Sequence, residues 1–486
     1  MHYFAGLDIG TTHTKIVICD QALTVYFQSK RPYVKGAGAT LDSLEILDNV
    51  NLLLQEVFST FLKADDNLTV SFSSAMHSLV LVDGNAIPLT PLFTWADASA
   101  QPVMARLRQD PMAVKLFSET GTPLHPMSPF CKLAWIKESE PSMLATAAKC
   151  VGIKEFVWFR LTGQWQVDHS IAAATGLFSQ RTVSWHPDAL RIAGVAPRQL
   201  STPVAVTHNI TGSYTVDSKI HAVNWVIGGS DGGLAQIGSG ATDSDTAALT
   251  IGTSGAIRVM LPRLWTDENM ELFTYMIDAD HFVCGAAINN GGIITRWWQE
   301  EVMQAKGNSA EIMEAFAADA ASVEPGCDGL TCVPWFAGER SPVWDATATG
   351  TFGGVKISHT HATFKRALVE GICFSFRQLL EKLEAAHGPI RQIMASGGFT
   401  ESKWWVQLMA DILQRPLVLP GDERDASAMG AIAIALKSAG IISNWDLLNT
   451  PATQVYNPAA HTKMTYDKNY QYFLHLCRSS SSLPPS

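Results

Sequence analysis

The segment at 5–20, AGLDIGTTHTKIVICD, returns at 249–260 as LTIGTSGAIRVM, and this duplication narrows the folds open to the chain more than any other feature. A shift of 242 positions brings Leu, Ile, Gly, Thr and Val of 7–18 onto their counterparts. Each copy reads as an apolar strand, a turn of glycine and hydroxyl residues, and a second strand directly after, which is a tight β-hairpin. Gly10 lets backbone N–H groups come close to an anion, Thr11, Thr12 and Thr14 add hydroxyls, and Lys15 adds positive charge. Gly252, Thr253 and Ser254 repeat that turn. Two phosphate cradles half a chain apart imply two related halves that close on one polyphosphate. Where the first copy has Asp8 the second has Thr250, so only the first brings a carboxylate, able to hold magnesium directly or through water.

With 486 residues and 47% hydrophobic content, the chain is long enough for two or three domains with substantial cores. Its 45 acidic residues outnumber 35 basic ones without a Lys or Arg run, which argues against nucleic-acid or membrane-surface binding. No apolar run reaches the roughly 18 residues of a spanning helix, and no charged leader precedes the first strand, so a cytoplasmic protein is expected. The eight cysteines are scattered through apolar sequence, as reduced thiols are. Cys327 and Cys332 lack a second Cys or His pair and read as buried or loop thiols rather than a zinc site.

After the first hairpin, Leu44, Leu47, Leu52, Leu53, Val57 and Phe61 recur at helical intervals, predicting an amphipathic scaffold helix within 41–62. A strand at 68–74 ends in Ala75-Met76-His77, and a later one at 89–95 leads to Asp97. Ligands gather at strand ends in open α/β sheets, so Met76, His77 and Asp97 are candidates for a substrate site; a satisfied core histidine and plain packing are the bland alternatives. Prolines after Pro123 give way to a helix near Phe130 that ends by Pro141.

The stretch VIGGSDGGLAQIGSG, 226–240, predicts a strand, a glycine-flanked turn carrying Asp231, and a helix from near Leu234. Asp231 is then either a catalytic base, the usual role of Asp in phosphoryl transfer to a hydroxyl, or a helix N-cap. The small, polar residues 238–244 mark a boundary between domains 1–240 and 241–477. In the second half, Gly291 and Gly292 precede a helix and allow a nucleotide to approach. Glu339 and Arg340 read as an internal ion pair. A strand at 392–395 opens into Ser396-Gly397-Gly398 and a helix holding Trp404, a second site for a nucleotide edge. A small-residue helix at 426–437, with Gly430, is expected to close the second domain, and 478–486 to be a disordered Ser/Pro tail.

The paired hairpins resemble the phosphate loops of the actin, hexokinase and sugar-kinase superfamily. The pattern Met127, Pro129, Lys132, Leu133, Trp135 and Glu138 is similar to the signature of the FGGY family of carbohydrate kinases. The likeness runs from Gly6 to about Gly440 and implies an α/β, two-domain actin-like ATPase (ribonuclease H-like) fold with an ATP cleft between the domains. The blocks FSSAMHS, PLTPLFTWAD, GTPLHPMSP, VGIKEF and TIGTSGAIR look like the gluconate-kinase versions. His13, where a serine is commoner, and Ser139 depart from the family pattern.

The resemblance further implies that ATP binds with adenine near Gly397, Gly398 and Ser402. Its phosphates would lie at Gly10, Thr11, Thr12 and Lys15 and at Gly252, Thr253 and Ser254, with Gly292 and Arg296 beside the nucleotide. Magnesium would sit near Asp8 and Asp231. A sugar acid would rest against Met76, His77, Asp97 and Met127, its terminal hydroxyl facing Asp231 as general base. The substrate carboxylate, costly to bury alone, has His77, Lys154 and Arg258 as candidate partners. A neutral sugar such as xylulose removes that need and is the alternative substrate. An actin- or chaperone-like ATPase and a non-catalytic sugar sensor are the readings from other classes. A homodimer is common among such relatives.

Overall fold

Strand β1 (His2–Ile9) is apolar on both faces apart from Asp8, and it sits inside a sheet with Leu7 and Ile9 fully buried. In this computed structural model the described residues are all except 35–38, 64, 307, 421–424, 449–451 and 481–486. β1 pairs antiparallel with β2 (His13–Cys19), which pairs in turn with β3 (Val25–Pro32). On its other side β1 runs parallel to β4 (Asn67–Ser74), and the sheet continues through β6 (Lys219–Ser230) to β5 (Asn209–Val216). Helix α1 (Ser43–Glu56) covers one face through Ile46, Val50, Leu53 and Leu54. Each such side chain contributes about 1.5–3 kcal/mol by leaving water. The expected helix therefore forms with a different buried stripe: Leu44 and Leu52 are exposed, and Asp42, capping Leu44 N, sets the start.

The second sheet repeats this plan. β7 (Thr246–Ile251) and β8 (Gly255–Leu261) form an antiparallel hairpin. β9 (His281–Ile288) lies beyond β8, while on the other side β7 runs parallel to β10 (Gln392–Ser396), then come β11 (Leu417–Pro420) and β12 (Ala452–Tyr456). In both sheets a hairpin strand is flanked by two successive parallel strands. The long helix His361–His387 buries Leu368, Ile372, Phe376 and Leu379 in this half, as its spacing predicts.

Contacts divide the chain into two compact units, Met1–Thr242 with Leu261–Val283 and Glu423–Asn449, and Asp243–Met260 with Cys284–Asp422 and Thr450–Ser486. The cut at 242 falls near the boundary expected at 240, but the units are not continuous in sequence. In particular, helix α3 (Ala426–Ser438), expected to close the second domain, packs in the first unit. There it crosses helix α2 (Asp231–Gly238), and the reason is the absence of side chains. A Cβ on Gly430 would collide with the Leu234 carbonyl, and one on Gly238 with that of Ala426. Of the expected tail, Arg478 and Ser479 continue the terminal helix Lys463–Ser480, and 481–486 lie outside the described residues.

Candidate active site

In the first unit, Asp8 is 7% exposed at the end of β1, and Ser73, its register partner on β4, donates from Oγ to Asp8 Oδ1 at 2.6 Å. Burial and then the Asp425 and Asp231 carboxylates push the Asp8 carboxyl up to about 7, against the opposing pull of Ser73 and Lys15. Lys15 pairs with Asp425, which also caps α3 by accepting from Ala428 N at 3.1 Å. The Asp8, Asp425 and Asp231 carboxylates thus lie near one another, with Lys15 paired to Asp425, an arrangement that favours an added cation. Among the described residues no three acid, His or Cys side chains form a metal cage. Magnesium usually takes one or two carboxylates and completes its shell with water and phosphate oxygens, a donor set that Asp8 and its neighbouring acids can supply.

The turn of the first hairpin spans Gly10 to His13. Thr12 and His13 bond to each other, Oγ1 to Nδ1 at 2.7 Å. Thr14, expected to add a phosphate-facing hydroxyl, is fully buried and bonded to Tyr33 OH at 2.8 Å. Strand alternation turns it to the inner face of the sheet.

Asp231 opens α2 without capping it. Ser230 is the cap, its Oγ accepting from Gly233 N at 3.3 Å, whereas Asp231 Oδ1 accepts from Gly232 N at 2.7 Å. The N-cap reading of Asp231 is therefore removed.

Of the expected substrate residues, His77 meets a segment that sequence reasoning passed over, Asp168 to Thr175, while Met127 and Asp97 lie about Lys132. His77 is buried at φ 64°, a conformation sparsely populated by non-glycine residues, and its Nδ1 bonds the Ala174 carbonyl at 2.9 Å. A carbonyl only accepts, so Nδ1 carries the proton. Thr122 Oγ1 donates to Ala173 O at 2.8 Å, and Phe130 N to Thr175 O at 2.9 Å. Met76 is half-buried and Met127 fully buried. Lys132, with no exposed surface, donates to Met127 O at 2.6 Å and Pro126 O at 3.1 Å. Burial lowers its ammonium to about 7, although Asp97 works in the other direction. Asp97 accepts from Ser99 Oγ at 2.9 Å. Of the candidate partners for a substrate carboxylate, Lys154 is committed to Asp168 in a buried ion pair, and Arg258 sits on β8 opposite Ala248 in the second unit.

The second unit contains a cavity of about 840 Å³, the size of a cofactor site. Gly252, Thr253, Gly292, Arg296, Gly398 and Ser402 line it, together with aromatic residues that include Phe316 and Trp404. Nothing lies within 4 Å of where a Cβ would stand on Gly252 or Gly398, so both leave backbone open to a ligand. Ser254 and Gly397 do not line the cavity. Gly397, at φ 96°, presses on the Ile251 carbonyl, and Gly291 on Ser254. These glycines serve backbone-to-backbone packing: Gly292 N donates to Gly252 O at 2.8 Å, docking the hairpin turn on helix Gly292–Trp297. Glu339, likewise fully buried, is held by Asn289 N, Asn290 Nδ2 and Arg340 N, while Arg340 Nη2 donates to Ile288 O at 2.7 Å.

Family models for the N-terminal and C-terminal domains of the FGGY family of carbohydrate kinases match residues 3–238 and 247–439. The chain belongs to the FGGY family of carbohydrate kinases. A gluconokinase from Bacillus licheniformis is 34% identical over 98% of this chain and 96% of its own length. The crystal structure of a gluconate kinase from Lactobacillus acidophilus superimposes with a TM-score of 0.91 at 30% identity, covering 99% of each chain. A ligand-bound xylulose kinase from the same organism matches with the same figures. The two-unit α/β architecture is thus that of the FGGY kinases, and the chain is an ATP-dependent carbohydrate kinase. The actin- or chaperone-like ATPase reading falls away.

Sequence reasoning missed Ser73, Asp425 and the 168–175 segment. For Asp425 a signal existed: an acid directly before a helix of small residues, the same design as Asp231 before Gly232 and Gly233.

Proposed function

We propose that the protein phosphorylates D-gluconate at its terminal hydroxyl, giving 6-phosphogluconate, with ATP as donor, magnesium as cofactor and Asp231 as general base. The observation that carries the mechanism is the position of Asp231, at the C-terminal end of β6 and relieved of capping by Ser230. The gluconokinase relative at 34% identity supports the substrate.

In this reading the sugar acid lies against Met76, His77, Asp97 and Met127, and the Asp231 carboxylate aligns its terminal hydroxyl. As the hydroxyl oxygen bonds the γ-phosphorus, its proton passes to Asp231, the bond to the β-phosphate oxygen breaks, and ADP leaves. Gly252, Thr253, Gly292, Arg296, Gly398 and Ser402 bind the nucleotide, with Gly10, Thr11, Thr12 and Lys15 taking phosphate oxygens. Asp8 and Asp231 are the residues that would hold magnesium, which when bound offsets charge on the transferring phosphoryl group. A loose transition state of this kind asks mainly for alignment and charge stabilisation, which fixed loops supply. Eight buried cysteines suit a reducing cytoplasm.

Xylulose is the second reading, since a xylulose kinase matches structurally as well as a gluconate kinase does. ADP release with magnesium-ATP is measured against gluconate, xylulose, ribulose, glycerol and no sugar. Fast turnover with gluconate alone is expected; faster turnover with a neutral sugar overturns the gluconate assignment and leaves the kinase.

A further inference from the structure

The peptide that leads into Asp231 is tied to a polar chain that runs behind the site and touches no solvent. Ser230 N donates to Ser170 Oγ at 2.7 Å. A backbone N–H can only donate, so Ser170 Oγ accepts there and must direct its own proton elsewhere. It goes to Asp168 Oδ1, 2.5 Å away. The same carboxylate oxygen caps the following turn, accepting from Ser170 N at 3.0 Å and Ile171 N at 3.1 Å. The other oxygen, Asp168 Oδ2, pairs with Lys154 Nζ. Ser230, Ser170, Asp168 and Lys154 are at most 2% exposed.

Three features make this more than packing. First, the direction of each hydrogen bond is forced from the N–H outward, so the chain has a single low-energy arrangement. Second, the charges of Lys154 and Asp168 cancel within the network, and Asp231 lies close enough for its charge to be felt at Lys154. Third, β6 is irregular just before this point: its register against β4 shifts between Val226 and Gly229 before pairing resumes at Gly229 with Ser73 and Ser230 with Ser74, while the Ser230 N–H goes to Ser170. The Ser170 contact adds a second tie, from outside the sheet, to the peptide that follows this bulge.

We infer that Ser170, held by the buried Asp168–Lys154 pair, is a positioning residue that fixes the backbone at Ser230 and thereby the aim of the Asp231 carboxylate. The inference rests on Asp231 as the base. Ser170 touches neither sugar nor nucleotide in this role, so its loss acts on the chemical step and leaves binding in place. A misplacement of about 1 Å in a reacting group costs on the order of 100-fold in rate.

The test compares wild type, Asp231→Asn, Ser170→Ala and Ser170→Cys in steady-state turnover, using whichever sugar the wild type phosphorylates fastest. Ser170→Ala is expected to lower kcat by about 10–100-fold, with KM for sugar and ATP near wild type. Ser170→Cys, whose sulfur is a weaker acceptor, should fall between, and it carries the test by itself if the alanine variant does not fold. Wild-type kcat in both variants, or a kcat loss that only tracks the fraction of folded protein, overturns the inference. An active Asp231→Asn enzyme instead overturns the base assignment, a separate failure.

Discussion

The two hairpins share their setting and differ in content. In the first, Asp8 stands beside Ser73 on the adjoining parallel strand; in the second, Thr250 stands beside Ser396, Oγ1 to Oγ at 2.9 Å. The serine is common to both copies, and only the acid has changed. The turns differ too. Ile9 pairs with Thr14 across four turn residues, whereas Ile251 pairs with Gly255 across three, so His13 lies in the turn while its counterpart Gly255 pairs across the hairpin. One framework thus yields a buried carboxylate with further acids around it in one unit and an open, neutral turn beside an aromatic-lined cavity in the other. A duplicated fold can divide labour by changing single side chains at matched register positions.

The largest effect expected from that difference is catalytic. Asp8→Asn should lower kcat by about 100–1,000-fold, the scale of losing one electrostatic element of a transition-state site, while Thr250→Ala stays near wild type in the same steady-state assay. Equal losses in the two variants would erase the distinction.

Next in size, Gly398→Val adds a side chain to the cavity proposed for the nucleotide, at a Cβ position with no protein atom within 4 Å. KM for ATP should rise about tenfold or more, a loss of about 1.4 kcal/mol or more, with kcat little changed.

A third difference is in pH dependence. Burial first, then Asp425, raises the Asp8 carboxyl to about 7. The folded chain therefore binds this proton more tightly than the unfolded chain does. Asp8 then disfavours folding progressively as pH rises from about 4 through about 7. In magnesium-free buffer, thermal melts of wild type should lose more stability between pH 5.5 and 8 than those of Asp8→Asn. Magnesium should stabilise wild type more at pH 8 than at pH 5.5. Thr250 gives the second hairpin no such dependence.

The smallest effects are at helix caps. Asp425→Ala and Ser402→Ala each remove one N-cap, one per unit, and should each cost about 1 kcal/mol in denaturant titration. The partly exposed pair with Lys15 adds at most about 1 kcal/mol to the first.

What could be read from the sequence was what repeats or is local. The paired hairpins, the helix at Pro129–Ser139 and the strand-to-helix position of Asp231 all follow from periodicity and turn chemistry. Contacts made across long separations were hidden: Lys15 meets Asp425 over 410 positions, and nothing local in either segment points to the other. The same distance hid the membership of Glu423–Asn449 in the first unit. Ser170 escaped notice because a hydroxyl in a small-residue stretch has many ordinary uses; its role appears only once Ser230 N is placed against it. Gly397 and Gly291 carry the composition of a nucleotide turn, and the structure adds a second use, close docking of backbones, that composition leaves open.

The most direct measurement pairs turnover with nucleotide affinity in Asp231→Asn. If the first unit supplies the base and the second the nucleotide site, kcat falls by at least about 1,000-fold, within the range seen when a triad base or its aspartate is lost, while the Kd for ADP by calorimetry stays near wild type. Turnover within tenfold of wild type, or ADP affinity lost together with turnover, would contradict that division.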